Sequence, residues 1–271
     1  LREMSEIAGH YAKGDFSKTV TYDSEDEVGQ LAKSFSFMAK ELNELENRRK
    51  QYISNVSHEL RSPLTSIKGF IIALMDGTIP ENRRTHYYRL MKNETERMIK
   101  LVNDTLAMNQ LEEGDQKLFR SDYNLTGQIE EIIHKFEPQL REKEMDIHFS
   151  TEDDYYVFAD EARMEQVIVN LLQNAIQYSE KNSRIDVNLL REGDMVKVII
   201  QDDGVGIAEE NLDLIWRRFY KVDESRTSKS GAGLGLAIVK SILDLHGSEI
   251  EVDSALGEGT TFSFTLPLSE S

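Results

Sequence analysis

Gly231-Ala232-Gly233-Leu234-Gly235-Leu236-Ala237-Ile238-Val239 is the stretch on which the fold turns. Glycines running into an apolar helix leave backbone amides free to attract phosphate at the positive end of the helix dipole. The spacing superficially resembles a dinucleotide fingerprint, which would require a parallel βαβ unit just upstream. The preceding sequence predicts a different arrangement. Alternation over 184–190 and again over 195–201 predicts two strands, joined at Glu192-Gly193-Asp194 like a hairpin. With no parallel unit expected, the Rossmann reading fails. Helices are predicted over 125–141, 160–178 and 233–246, and further strands over 147–150, 155–159, 249–254 and 260–267. Helices among mostly hairpin-linked strands imply an α+β sandwich with helices on one sheet face.

Outward from that stretch, two further groups carry chemistry. Asp202-Asp203-Gly204-Val205-Gly206-Ile207 directly follows a strand, with an acid at the strand end and two glycines where backbone can approach a ligand. Between the two glycine-bearing stretches lie Arg217, Arg218, Lys221, Arg226 and Lys229, a basic run that suits a lid over polyphosphate. Asn170 and Asn174 stand four apart on the 160–178 helix and share a face. Two side-chain carbonyls at that spacing can reach a hydrated Mg²⁺, a hard ion that prefers oxygen. Paired Asn residues also cap helices or face solvent, and the spacing leaves both readings open.

Up to Gly114 the chain is helical in texture. Residues 1–13 form a short amphipathic helix with Met4, Ile7 and Tyr11 at three-to-four spacing, stopped by Gly14-Asp15. An extended stretch at 16–22 leads to Ser24, an N-cap with Glu27 three residues on in the manner of a capping box. Phe35, Met38, Leu42, Leu45, Arg49, Tyr52 and Val56 alternate by three and four, a coiled-coil seam that implies a partner helix. This helix is expected to continue to Asp76-Gly77, and a second to span 82–113. Two antiparallel helices supply half of a four-helix core, so a homodimer is expected to complete it.

The first long helix carries Val56-Ser57-His58-Glu59-Leu60-Arg61-Ser62-Pro63-Leu64. At about 100° per residue, His58 lies about 200° from Val56 and about 160° from Leu60, away from the apolar stripe. Glu59 follows at once, Ser62 lies one turn on, and Pro63 predicts a bend because it cannot donate to the Glu59 carbonyl. His58 is then either a solvated surface residue or a nucleophile whose proton Glu59 accepts.

Composition excludes several classes. With 271 residues, 39% hydrophobic and 30% charged, the chain can bury more than one core and is not a disordered tail. A net charge of −17 repels nucleic acid and anionic lipid, so neither is expected as a direct partner. There is no cysteine, hence no disulfide, thiol catalysis or Cys-based metal site. No apolar run approaches the roughly 18 residues of a membrane span.

In this order the motifs resemble those of a bacterial sensor histidine kinase of a two-component system, over essentially all 271 residues. His58 to Leu64 is similar to the family's phosphoacceptor box, and Asn170-Leu171-Leu172-Gln173-Asn174-Ala175 to its N box. Asp202 to Gly206 and Gly231 to Leu236 are similar to its two glycine boxes, and Trp216-Arg217-Arg218-Phe219-Tyr220 to its F box. Residues 1–46, with Asp26-Glu27-Val28-Gly29, resemble a HAMP signal-relay module. The resemblance implies a multidomain α and α+β chain: a parallel coiled-coil HAMP module at 1–46, a dimeric four-helix bundle carrying the phosphoacceptor at 47–114, and a Bergerat-type α/β sandwich for ATP at 115–271.

It implies that His58 takes the γ-phosphoryl of ATP, Glu59 accepts its proton, and Ser62 serves a weak phosphatase reaction. Asn174 and Asn170 would hold Mg²⁺, and Asp202 would hydrogen-bond the adenine amino group. Tyr178, Gly204, Gly206, Arg218, Lys221, Gly231, Gly233, Leu234, Gly235 and Leu236 would complete the nucleotide set. The partners implied are a second copy of the chain and a response-regulator receiver domain. The membrane would be reached only through an upstream transmembrane segment absent from this sequence, with this chain the cytoplasmic portion of a bacterial inner-membrane protein.

Some positions depart from the family pattern. Gln177 stands where a phosphate-binding Lys is common, Trp216 replaces the first Phe of the F box, and Ser230 and Ala232 replace Gly and Thr. Ser62 replaces the commoner Thr or Asn. A gyrase-like ATPase would share the glycine boxes but would leave the His58 box without a role.

Overall fold

The computed structural model describes residues 2–12, 14–16, 18, 24, 26–112, 117–222 and 231–269. Most of the stretch expected to be extended at 16–22, the helix stop at Gly114, and Arg226, Lys229 and Ser230 lie outside these residues. The chain divides into two compact units, 1–62 and 63–271.

In the first unit, α1 (Arg2–Tyr11) is followed by the start of α2 (Glu27–Met75). Ile7 and Tyr11 of α1 bury against Ala32 and Ala39 of α2, with Phe16, Val28 and Phe35 packed around them. The Tyr11 ring stacks on Phe35 at 5.2 Å between centroids. Phe35, expected to open an intermolecular seam, is thus spent within the chain, while Met38, Leu42 and Leu45 farther along remain exposed. The helix cap also differs from expectation. Asp26, rather than Ser24, caps α2: its Oδ1 accepts the Gly29 N–H at 2.8 Å, whereas Ser24 Oγ accepts only the Asp26 N–H at 3.3 Å. A carboxylate suits the positive end of the helix better than a hydroxyl.

α2 runs on without interruption through Pro63 to Met75. In the second unit its last turns form a hairpin with α3 (Arg84–Glu112), closed by Phe70 edge-on to Tyr87 at 5.4 Å and by the buried Ile79 in the turn. α3 packs against α6 (Gly235–His246).

The rest of this unit is an α/β layer pair. β1 (Ser121–Asn124) pairs with β3 (Tyr156–Ala159) in a small antiparallel sheet. A five-stranded sheet has the order β2-β4-β5-β7-β6, from β2 (Asp146–Thr151), β4 (Arg184–Glu192), β5 (Met195–Asp202), β7 (Gly259–Pro267) and β6 (Ile250–Ala255). Packed helices α4 (Leu125–Lys143), α5 (Glu161–Tyr178) and α6 accompany it. The core is a ladder of inward residues in register, Leu189 opposite Val198 opposite Phe264 and Val187 opposite Ile200 opposite Phe262. All are almost wholly buried, as period-two alternation requires of a sheet covered on one face.

One expectation needs correction. β2 and β4 pair in parallel, joined by a crossover that includes α5, so a parallel unit does precede the glycine-rich stretch. The dinucleotide reading still fails. The last strand before Gly231 is β5, which is antiparallel to both of its neighbours, so no parallel strand feeds α6.

Candidate functional site

The end of α5, the loop after β5 and the start of α6 converge on a cavity of about 410 Å³. Asn174, Tyr178, Asp202, Gly206, Lys221 and Leu236 line it, so six of the residues expected to bind nucleotide meet there. Asp160 caps α5, its Oδ1 accepting the Arg163 N–H at 3.2 Å, which fixes where the 3.6-residue repeat places Asn170, Asn174 and Tyr178. Asn174 is half-buried in the wall. Asn170 lies one turn deeper, 5% exposed, with its Nδ2 unpartnered, and its carboxamide backs onto Gly235 of α6.

Asp202 ends β5 as a buried acid. Its Oδ1 accepts the Gly204 N–H at 2.9 Å. Burial pushes its carboxyl up to about 6, against the pull of backbone bonds from Gly204 and Thr260 and with a small upward push from Asp203. The loop that follows is wedged between two pieces of backbone. Val205 N–H donates to the Tyr178 carbonyl at 3.3 Å, and Gly206, at φ +69°, has the Ala255 carbonyl where a Cβ would stand. Any side chain there would break the β6–β7 turn away from the loop.

Before α6, Gly233 has φ +74° and the backbone of Phe219 and Tyr220 against its Cα, and its carbonyl accepts the Phe219 N–H at 2.8 Å. Gly231, Gly233, Leu234 and Gly235 shape this approach without lining the cavity, and Leu234 is wholly buried. Arg218 is half-buried and also stays off the cavity wall. Trp216 meets Phe262 edge-on at 6.0 Å, and Lys240 Nζ of α6 lies 5.8 Å from its ring, so the indole braces one wall against the helix.

Ile215, Thr260 and Phe262 line the cavity although their sequence signals did not single them out. Phe262 is one more inward residue of an alternating strand, and nothing local separates a pocket wall from ordinary core. Among the described residues, no cluster of His, Asp and Glu could hold a metal ion.

On the first unit's part of α2, His58 is exposed and Glu59 and Leu60 are half-buried, with Ser62 exposed one turn on. The imidazole does stand off the apolar stripe, as its helical angle predicts.

Residues 1–44 match the HAMP domain, 48–114 the His Kinase A phospho-acceptor domain, and 159–270 the histidine kinase-, DNA gyrase B- and HSP90-like ATPases. The catalytic domain of the histidine kinase ThkA is 32% identical, with a TM-score of 0.50, over 55% of this chain and 95% of that one. The chain belongs to the sensor histidine kinases. Sensor histidine kinase YclK of Bacillus subtilis is 34% identical across 99% of this chain, which spans 59% of that relative's length. ThkA solved in complex with the response regulator TrrA is similar over 83% of this chain and 66% of that one, at 29% identity and a TM-score of 0.63. Among the described residues of this histidine kinase, no helix is long and apolar enough to cross a membrane.

Proposed function

We propose that the chain binds ATP in the α5–α6 cavity, phosphorylates itself on His58 and passes the phosphoryl group to an Asp of a response-regulator receiver domain. The observation that carries this reading is the buried Asp202 at the base of a cavity walled by Asn174 and opened by the Gly231–Leu236 approach. With one Asp202 oxygen turned to the Gly204 N–H, the carboxylate keeps acceptor capacity for an exocyclic amine. The N-terminal amides of α6 and Lys221 supply positive charge for the phosphates. His58, exposed on α2, can present a ring nitrogen for in-line attack while Glu59 takes the proton.

Asn174 and Asn170 would hold Mg²⁺ through their carboxamide oxygens, and hard neutral oxygens one helical turn apart, with Asn174 on the cavity wall, fit such an ion. When bound, the ion neutralises phosphate charge. The protein ligands being neutral, most of its affinity comes from the nucleotide. The domain limits 1–46, 47–114 and 115–271 fit this division of labour. The exposed Met38, Leu42, Leu45, Ile71, Ile99 and Leu106 along α2 and α3 support a homodimer whose bundle covers them. A membrane-anchored protein with this chain on the cytoplasmic side, and a weak phosphatase activity through Ser62, complete the proposal; the ThkA–TrrA complex supports the regulator as partner.

Incubation with γ-labelled ATP and Mg²⁺ tests it. Acid-labile label should appear on the wild-type chain and vanish in His58→Ala, with ATP binding retained. Undiminished labelling of that variant overturns the assignment.

A further inference from the structure

The two helices that carry the nucleotide residues meet at their far ends around Asp160. This side chain is 7% exposed, and the residue's hydrogen bonds go three ways. Oδ1 caps α5 through the Arg163 N–H at 3.2 Å. The backbone N–H donates to His246 Nε2 at 3.1 Å in the last turn of α6, and His246 Nδ1 in turn bonds the Ile242 carbonyl at 2.8 Å. Oδ2 accepts the N–H of Phe119, 2.9 Å away in the segment between α3 and β1. Next to it, Arg120 reaches the Leu245 and His246 carbonyls at 3.3 and 3.4 Å, at the C-terminal end of α6.

Capping α5 needs one acceptor oxygen, and a serine would provide it. The second oxygen serves only the incoming segment. The Phe119 side chain contributes little to holding that segment, being 84% exposed beside a half-buried Leu118. The segment's backbone is what the second oxygen grips, at a point from which both nucleotide helices are reached.

We propose that Asp160 is a latch joining the segment that leaves α3 to the two nucleotide helices, and that latch closure and nucleotide occupancy are thermodynamically coupled. The inference rests on the ATP site proposed above. A nucleotide held by Asn174 of α5 and by the start of α6 orders both helices, so the latch then closes on ends that have less freedom left to lose. Coupling of this kind is reciprocal, and the closed latch strengthens nucleotide binding by the same factor. Asp160 acts through the helices and touches no substrate, so it is a positioning residue.

Amide hydrogen exchange on the full chain, with and without a non-hydrolysable ATP analogue and Mg²⁺, tests the latch. In the wild type the analogue should slow exchange at Phe119 about fivefold or more, the lower end of the range for coupled sites. Asp160→Ser keeps a cap for α5 and loses the second oxygen. It should exchange fast at Phe119 in both states and bind the analogue more weakly by the factor lost. Asp160→Asn, of the same shape, can offer only one acceptor and should behave like the serine variant. Slowed exchange at 202–206 with no change at Phe119 in the wild type overturns the latch and leaves the ATP site standing, as does wild-type affinity in both variants. Absence of any slowing at 202–206 overturns the ATP site and the latch with it.

Discussion

Replacing Asp202 by Asn should make the ATP-binding domain more stable and less able to bind nucleotide. Burial raises the Asp202 carboxyl from 3.8 to about 6. Between those values the folded chain keeps a proton that the unfolded chain has lost, so the contribution to stability is fully present below 3.8 and disappears as pH rises through about 6. At pH 7.5 the ionised group costs about 3 kcal/mol, at about 1.4 kcal/mol for each unit of the shift. Asn removes that cost but presents one acceptor oxygen where the carboxylate had two, a loss of about 1–3 kcal/mol if a buried N–H goes unmet. A net gain of up to about 2 kcal/mol remains, worth a rise of up to about 6 °C in Tm for a domain of this size. Near pH 4, where Asp202 is largely protonated in the fold, the gain should vanish and the unmet N–H should leave the variant slightly less stable than the wild type. The loss of a charged acceptor for the adenine amine should weaken nucleotide binding about 10–100-fold. The assay is thermal unfolding at both pH values followed by fluorescence of Trp216, the sole tryptophan and one that abuts the cavity wall, with calorimetric titration of a non-hydrolysable ATP analogue. A variant destabilised at pH 7.5 that binds nucleotide like the wild type would refute the reasoning.

Three further outcomes are expected. Glu144 ends α4 at φ 55°, ψ 39°, so Glu144→Gly should raise stability by about 1 kcal/mol in denaturant titration, by relief of a left-handed conformation that costs a side-chain-bearing residue. Burial lowers the His246 imidazole below its ordinary 6.5; its contribution to stability is present above 6.5 and lost as pH falls into the window beneath, a slope that His246→Gln should flatten when unfolding is measured from pH 7 to 5. Ser62 keeps a hydroxyl that can orient water but lacks the methyl of Thr; dephosphorylation of a purified phospho-regulator should rise in Ser62→Thr and fall in Ser62→Ala with autophosphorylation unchanged, and equal rates in all three forms would leave Ser62 a structural residue.

Most elements were legible because their signals are local. The apolar repeat over 160–178 placed α5 to within a residue, and Glu192-Gly193-Asp194 between alternating runs marked the β4–β5 hairpin. The acid at the end of β5 and the glycines before α6 marked the region of the cavity for the same reason, since close approach of one backbone to another, as at Gly206 and Gly233, demands glycine at particular positions. His58 could be placed on the solvent side of α2 from helical geometry alone.

Other features depended on partners distant in sequence. β1, Ser-Asp-Tyr-Asn, has no apolar alternation and exists because its backbone pairs with β3. The parallel pairing of β2 with β4 was invisible, since a strand's own pattern does not state the direction of its neighbour. Phe35 fits a heptad in sequence, yet Tyr11 stacks on it in space. Asp26 displaced Ser24 as the cap because only the folded turn brings its Oδ1 onto the Gly29 N–H. Thr260 and Phe262 became pocket residues only when β7 settled beside β5. The sequence by itself determined the span of most helices and strands and the glycine-bearing turns beside the cavity, because torsional preference and side-chain period act over a few residues. Tertiary structure alone decided which strands are parallel, which walls enclose the cavity, and that one carboxylate, Asp160, reaches both α5 and the chain leaving α3, because those outcomes depend on packing between segments that no local pattern can pair.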